Sequence, residues 1–515
     1  MNAALEFVDA NVRAGRGSRT AVVDAATGRE LTYDAIHRNV NRMGHALRRL
    51  GVRPEERVMI LLPDCPEFIF AFFGAIKIGA IAVPVNTLLT GADYEYLLTD
   101  SRARVLIVHE RLRDRVMSRP RHLEHVLLVN DAFSGVLDIE LDDLEPEDMS
   151  SDAAAFWLYS SGTTGFPKAA VHLQHDMHCC VESFARGVLG ITDRDRTFSI
   201  AKLFFAYGLG NALYFPFAVG ASTVLSPEKP DPRLVFDLVR RHRPTLFYAV
   251  PTAYSAMLAE IDGGTPCDFS SVRLCSSAGE PLAPPLYERW RARTGLEILD
   301  GIGSTEMLHM FIANRPGRVR PGSSGEIVPG YEARVVDDDG RDMPIGEIGD
   351  LLIKGESSCA CYWNKQEQTR KTIVGEWLRT GDKYRRDQDG YFWYQGRSDD
   401  MLKCGGYWVS PTEVESAIIT HAAVLECAVV GCEDEDRLVK PMAYVVLKNG
   451  YAATAEVADA LRAHVKAQLA VYKCPKRIEL VTELPKTATG KIQRYKLRAA
   501  LSVPASAPGA PPICT

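Results

Sequence analysis

A single stretch, Tyr159-Ser-Ser-Gly-Thr-Thr-Gly-Phe-Pro-Lys168, gathers hydroxyls, glycines and one ammonium. Backbone N–H groups exposed at Gly162 and Gly165, the hydroxyls of Ser160, Ser161, Thr163 and Thr164, and the Lys168 ammonium make up the donor set that a polyphosphate requires. The apolar Phe156-Trp-Leu-Tyr before it reads as a strand and Ala169-Ala-Val-His after it as a returning strand, so the stretch is a loop between two strands. It is not a Walker loop, because Lys168 follows proline and neither serine nor threonine comes next. A plain glycine turn would have the same local composition.

Other residues could complete such a site. Thr305 sets a hydroxyl beside the Glu306 carboxylate, and a carboxylate with phosphate oxygens is what a hard Mg²⁺ ion prefers. The glycines at 301 and 303 favour close backbone approach to a ligand, whereas Glu306 alone would pass for a solvated surface acid. Asp382, after a Thr-Gly turn, is a natural bidentate acceptor for two ribose hydroxyls or the head of an ordinary Asx-turn. Lys491 ends Leu484-Pro-Lys-Thr-Ala-Thr-Gly-Lys491, where Gly490 and Pro485 shape a loop around a lysine that would otherwise be a solvated cation. His172, His175 and His178 invite a zinc reading, but a spacing of three does not stack three ligands on one helical face. The pairs Cys359/Cys361 and Cys179/Cys180 each lack a second matching pair.

These groups need a scaffold. Apolar runs at Arg57 to Leu62, Val105 to Val108, His125 to Val129, Ser222 to Leu225, Leu246 to Val250 and Ser271 to Ser276 alternate with helical patterns such as Asp34 to Leu50 and Pro232 to Arg241. That alternation predicts an α/β fold with parallel sheets covered by helices. From about Gly322 the texture turns to strands and turns, which predicts a β-rich lobe. After Gly396 come a helix at Pro411 to Thr420, strands at Ala423 to Val430 and Met442 to Leu447, and a helix at Thr454 to Leu469. The expected organisation is a large domain over 1–396 and a small α+β domain over 397–515, with a tail frayed from about 502.

At 515 residues the chain exceeds what one core supports, and its 46% hydrophobic, 24% charged composition is that of a globular protein. A net charge of −6 without a basic stripe argues against nucleic acid as a partner. Phe68 to Val85 is nearly all apolar, but Lys77, Gly79 and Pro84 interrupt it; a buried helix running into a buried strand is expected, not a membrane span. Met1 to Arg16 lack the apolar core of a secretory signal, and twelve scattered cysteines read as reduced thiols, so a cytoplasmic location is expected.

Six blocks together resemble the adenylate-forming superfamily of acyl- and aryl-CoA ligases, peptide-synthetase adenylation domains and luciferases. They are Ser160 to Lys168, Ser277-Ala-Gly-Glu-Pro281, Asp300-Gly-Ile-Gly-Ser-Thr-Glu306, Arg379-Thr-Gly-Asp382, Gly396 to Lys403 with Gly405-Gly-Tyr407, and Leu484 to Lys491; the likeness runs from about Leu31 to Arg498. It implies a large domain of two α/β sheets plus a β-rich lobe, and a small mobile C-terminal domain. Ala201-Lys-Leu-Phe-Phe-Ala-Tyr-Gly-Leu-Gly-Asn211 and Gly301 to His309 are most similar to the benzoate-CoA ligase branch.

The resemblance implies an ATP-dependent ligase that adenylates an aromatic carboxylate and passes the acyl group to coenzyme A. It casts Lys491 as the principal catalytic residue, Lys168 on the leaving pyrophosphate, Thr305 on phosphate and Glu306 on Mg²⁺. Ser277, Ala278, Gly279, Glu280, Asp300 and Gly301 would line the adenine, with Asp382 and Arg397 on the ribose. Ala206, Tyr207, Gly208, Gly303 and His309 would form a flat slot for the aromatic ring, although His309 alone is equally well read as a structural histidine. Asp399 fits a hinge. Gly405, Gly406 and Tyr407 would line the pantetheine tunnel near Lys403, and Tyr472, Lys473 and Lys476 could meet the CoA phosphates or form a solvated basic loop. Phe166 and Ala169-Ala170 depart from the branch and leave benzoate, anthranilate and hydroxybenzoate unranked. The alternatives are an enzyme loading a separate carrier protein, a fatty acyl-CoA ligase, and a non-catalytic nucleotide binder, which the joint presence of Lys168, Glu306, Asp382 and Lys491 disfavours.

Overall fold

The computed structural model describes residues 1–116, 119–130, 132–160, 167–398, 400–404, 407–433, 439–486 and 492–501. Chain contacts divide it into two units, Met1–Arg334 with Leu352–Thr380 and Asp387–Phe392, and Val335–Leu351 with Gly381–Arg386 and Trp393–Thr515. The division runs through the strands Gly349–Lys354 and Trp377–Arg386.

The larger unit holds two extended sheets. In one, Thr20–Asp24, Ser222–Leu225, Arg196–Ser199, Leu246–Ala249, Leu274–Ser277 and Ile298–Gly303 run parallel in that spatial order, flanked by antiparallel edge strands. In the other, Ile81–Pro84, Arg57–Leu61, Val105–His109 and His125–Val129 are parallel neighbours. Ala154–Ser160 pairs with Ile81–Pro84 and then turns into the antiparallel Lys168–Leu173. Parallel strands covered on both faces must be apolar almost throughout, as Val22, Val58, Ile60 and Ile107, with no exposed surface, show.

Local sequence sets the helices. Thr32 accepts the Ala35 N–H to cap Tyr33–Arg49, and Asp231 accepts the N–H groups of Arg233 and Leu234 to start Pro232–His242, whose first residue is proline. The apolar stretch from Phe68 is the buried helix Pro66–Lys77 running into the strand Ile81–Pro84, in agreement with its glycine stop. Lys77 is tolerated there because its ammonium bonds Asp9 Oδ1 at 2.7 Å and Asn41 Oδ1 at 2.6 Å. Among the described residues no helix is long and apolar enough to cross a membrane.

In the smaller unit, Val439–Leu447 pairs antiparallel with Val424–Glu433 and parallel with Arg477–Val481. Val414 and Ile418 of Pro411–Ile419 and Leu461 and Val465 of Ala455–Gln468 share its apolar core with Val429 and Val445. The tail expected to fray from about 502 lies outside the described residues.

Candidate active site

Ser160 and Lys168 are register partners at the open end of the Ala154–Ser160/Lys168–Leu173 hairpin. The loop residues Ser161, Gly162, Thr163, Thr164 and Gly165 lie outside the described residues. Side chains alternate along a strand, so Lys168, Ala170 and His172 share one face, and Tyr362 is the register partner of Ala170. Tyr362 is thereby set beside Lys168, whose ammonium sits 4.3 Å from its ring centroid. The Tyr362 hydroxyl donates to Glu306 Oε1 at 2.8 Å, and the Ser160 hydroxyl donates to the same oxygen at 3.2 Å. Burial and the adjacent Glu306 push the Tyr362 phenol up, which keeps it a donor. Among the described residues Glu306 Oε2 accepts no hydrogen bond, and no cluster of three acidic, histidine or cysteine ligands exists. One oriented carboxylate with a free oxygen suits a hard cation that takes its remaining ligands from phosphate and water.

The three histidines considered for zinc form no metal-binding cluster among the described residues, although His172 and His175 both reach Asp176, at 2.7 and 3.3 Å. His172 lies between Asp176 and the Thr305 carbonyl, His175 reaches the carbonyls of Ser151 and Glu356, and His178 meets Glu6.

Ser277 and Asp300 are register partners on adjacent parallel strands, at the carboxyl ends where α/β sheets bind ligands. Asp300 Oδ2 accepts the Leu282 N–H at 3.4 Å, and the Ser277 hydroxyl lies buried beside the same carboxyl. Burial pushes the Asp300 carboxyl up to about 8. Ala278 is buried beside Ser277, and Gly279 turns the chain toward Glu280 at φ +93°, with only Val250 near the place a Cβ would occupy. A buried hydroxyl and a buried carboxyl side by side at the strand ends fit the edge of a polar flat ring.

Tyr207, on the helix Ala206–Leu209, donates to Ser276 Oγ at 3.1 Å. His309 packs against Tyr207, Phe184 and Phe215 at ring distances of 5.5, 5.0 and 4.5 Å. Its Nε2 lies 3.2 Å from Asn211 Oδ1, and since that oxygen can only accept, Nε2 carries the proton. His309 and Asn211 are both buried beside Tyr207. Burial lowers the imidazole to about 3, so the ring is neutral. The glycines have a different explanation from an open slot. A Cβ at Gly208 would meet the Lys202 carbonyl at 2.1 Å, one at Gly303 the His309 carbonyl at 2.5 Å, and one at Gly301 the Ile312 carbonyl at 2.5 Å. Close packing of chain on chain requires all three. Gly210 is the glycine against the imidazole, where a Cβ would lie 2.6 Å from His309 Cδ2.

In the smaller unit, Arg397 Nη1 donates to Asp382 Oδ1 at 3.1 Å. Gly381, at φ +75°, is where a Cβ would collide with that guanidinium at 2.8 Å. Lys473 bonds both oxygens of Glu413, at 2.6 and 2.7 Å, and Lys476 donates its backbone N–H to the Pro441 carbonyl. Leu402–Cys404 pairs with Tyr407–Val409 through the backbone. The side chains of Lys403, Tyr407 and Tyr472, and the whole of Asp399, Gly405, Gly406 and Lys491, lie outside the described residues.

Tyr362, Asn211 and Ser276 escaped the sequence reading. Tyr362 sits in a two-residue strand with no periodicity to reveal it. Asn211 stood four residues after Tyr207, one helical turn on, a spacing that could have flagged it.

The sequence matches the family model of AMP-binding enzymes over residues 8–363 and that of the AMP-binding enzyme C-terminal domain over 413–491. It is 50% identical to the benzoate–CoA ligase of Thauera aromatica, with 97% of this chain and 96% of that protein covered. The anthranilate CoA ligase AuaEII, solved with anthranoyl-AMP, superposes with a TM-score of 0.92 at 46% identity over 97% of both chains. The benzoate CoA ligase of Burkholderia xenovorans LB400 superposes with a TM-score of 0.89 at 44% identity, over 97% of this chain and 100% of that one.

Proposed function

The chain belongs to the AMP-binding enzyme family, and from that footing we propose that it is an AMP-forming aromatic acid:CoA ligase acting on benzoate or a ring-substituted benzoate. A carboxylate oxygen attacks the α-phosphorus of ATP, the bond to the bridging oxygen breaks, and pyrophosphate leaves with the electron pair. The CoA sulfur then attacks the acyl carbon of the adenylate, forming the thioester as AMP departs.

The observation that carries this reading is the convergence of Lys168, Tyr362, Ser160 and Glu306 at the end of one hairpin, in a chain alike along almost its whole length to benzoate–CoA ligases. Lys168 holds the leaving pyrophosphate. Glu306, aligned by Tyr362, would hold Mg²⁺, which when bound offsets phosphate charge. Ser277 and Asp300 take the adenine edge, and Asp382 with Arg397 the ribose. Lys491 stabilises charge building on the α-phosphate and bridging oxygen. Tyr207, His309 and the aromatic rings packed on that histidine form a neutral, rigid pocket suited to an aryl group. Residues 397–515 would move as a domain about Asp399. The enzyme would work in the cytoplasm, in keeping with described cysteines that are all free.

The test is thioester formation from ATP, free CoA and a panel of ring-substituted benzoates and fatty acids. Benzoyl- or aminobenzoyl-CoA with release of AMP is expected. Pyrophosphate exchange without thioester would point to a carrier protein as acceptor and overturn the CoA step.

A further inference from the structure

Resting on the ligase reading above, we propose that the His172–Asp176 pair is the positioning device of the adenylation step, fixing the backbone from which Thr305 and Glu306 project. Both side chains have no exposed surface. His172 Nε2 lies 2.8 Å from the Thr305 carbonyl oxygen and His172 Nδ1 2.7 Å from Asp176 Oδ2. A carbonyl oxygen only accepts, so Nε2 must donate. Asp176 Oδ2 also accepts the Leu173 N–H at 3.1 Å, so the carboxyl facing Nδ1 is itself tied to the strand that carries His172. Held at both nitrogens, the imidazole cannot turn away from Thr305 without also giving up its contact with the buried Asp176 carboxyl. Phe156, its register partner on the neighbouring strand, stacks on the ring at 5.1 Å and 17°.

The next carbonyls are held too. Glu306 O accepts the Cys359 N–H at 2.7 Å, and Met307 O accepts the Ser357 hydroxyl at 2.8 Å and the His309 N–H at 2.7 Å. Leu308 completes the turn with φ +64°, a conformation a branched side chain adopts only under constraint from its surroundings. His172 is the only side chain among the described residues that holds the Thr305 carbonyl. It comes from the strand that begins at Lys168 and lies on the same face. One strand therefore positions the phosphate lysine directly and the Thr305–Glu306 pair through its histidine. A backbone clamp of this kind sets the aim of the carboxylate without touching substrate.

The full-length enzyme and its variants H172L, H172Q and D176N are compared in two single-turnover assays, benzoate plus MgATP and synthetic benzoyl-adenylate plus CoA, alongside melting temperature. H172L is expected to slow adenylation by more than about tenfold and to raise the KM for MgATP, while thioester formation from the adenylate stays within about threefold of the parent enzyme. H172Q, whose amide N–H can reach Thr305, should recover part of the loss at the same melting temperature as H172L. D176N, which keeps the packing and lets Nε2 donate, should fall between the parent and H172L in the first assay and match the parent in the second. Equal loss in both assays for D176N, or adenylation by H172L and H172Q within twofold of the parent, overturns the proposal. If the parent enzyme adenylates benzoate but forms no thioester, the CoA step of the proposed function fails, and the first assay still decides the clamp.

Discussion

Tyr362 donates its hydroxyl to Glu306 Oε1 at 2.8 Å, and its ring carries the Lys168 ammonium 4.3 Å from the centroid. One side chain thus holds both the carboxylate assigned to the metal and the lysine assigned to the pyrophosphate. The two contacts can be separated by mutation. Tyr362→Phe keeps the ring and loses the hydrogen bond, which for a charged acceptor is worth about 1.5–3 kcal/mol. Adenylation should fall by about tenfold or more, with a rise in the Mg²⁺ concentration needed for half-maximal rate. A Mg²⁺ titration of pyrophosphate release reads it; an unchanged titration curve would separate Tyr362 from the metal.

Asp300 makes a pH prediction. Its folded-state pKa is raised from 3.8 to about 8 by burial, so the stability tied to its neutral form is complete below about pH 4 and is lost as pH rises toward 8. The loss approaches about 1.4 kcal/mol per pH unit. Asp300→Asn cannot ionise. Its melting temperature should gain on the parent enzyme progressively between pH 5 and 8, in the absence of nucleotide; a constant difference would refute the assignment.

His309 has the opposite sign. Burial lowers its pKa from 6.5 to about 3, so its stabilising neutral form is fully present above about pH 6.5 and is titrated away as pH falls toward 3. Denaturation midpoints from pH 7 to 5 should decline less in His309→Phe than in the parent enzyme. Parallel declines would show that another group carries the acid limb.

The substrate panel tests the pocket. A rigid aromatic surround rejects flexible chains by shape, so octanoate should trail benzoate in kcat/KM by about 1–3 kcal/mol or more. Equal values for the two would exclude an aryl slot.

Lys491 should matter in only one half-reaction. In the proposed role it acts only while charge builds on the α-phosphate, and removing one transition-state contact of that kind costs about 10²–10³ in rate. Lys491→Ala should nearly abolish adenylation yet still convert pre-formed aryl-adenylate to thioester, and Asp399→Pro, by restricting backbone rotation, should do the reverse. Single-turnover assays of each half-reaction are the measurement; equal losses for Lys491→Ala would make it structural.

Elements carrying a local signal were legible. Ser222–Leu225 and His125–Val129 follow their apolar runs residue for residue, and Pro232–His242 begins at its proline after an aspartate cap. The return strand after the glycine loop and the end of the buried helix at Lys77 were equally readable, because glycine and proline act on the backbone where they stand. The interleaved strand order was not. Arg196–Ser199 lies between Leu246–Ala249 and Ser222–Leu225, an arrangement chosen by packing of distant segments.

By itself the sequence determined the chemistry on offer: the hydroxyl-glycine-lysine loop, the Thr305–Glu306 pair, the aspartate after a Thr-Gly turn and the lysine after Gly490. Such groups announce themselves by type and spacing because their chemistry is local. The tertiary structure alone decided which of them meet, and why. It brought Tyr362 from a two-residue strand onto Glu306, and placed His172 under the Thr305 carbonyl across 133 residues of chain. It also showed that Gly208 and Gly303 are glycine to admit backbone oxygens, where the sequence had suggested room for an aromatic ring. A missing side chain has the same composition in either case, and only the neighbour that fills the space distinguishes them.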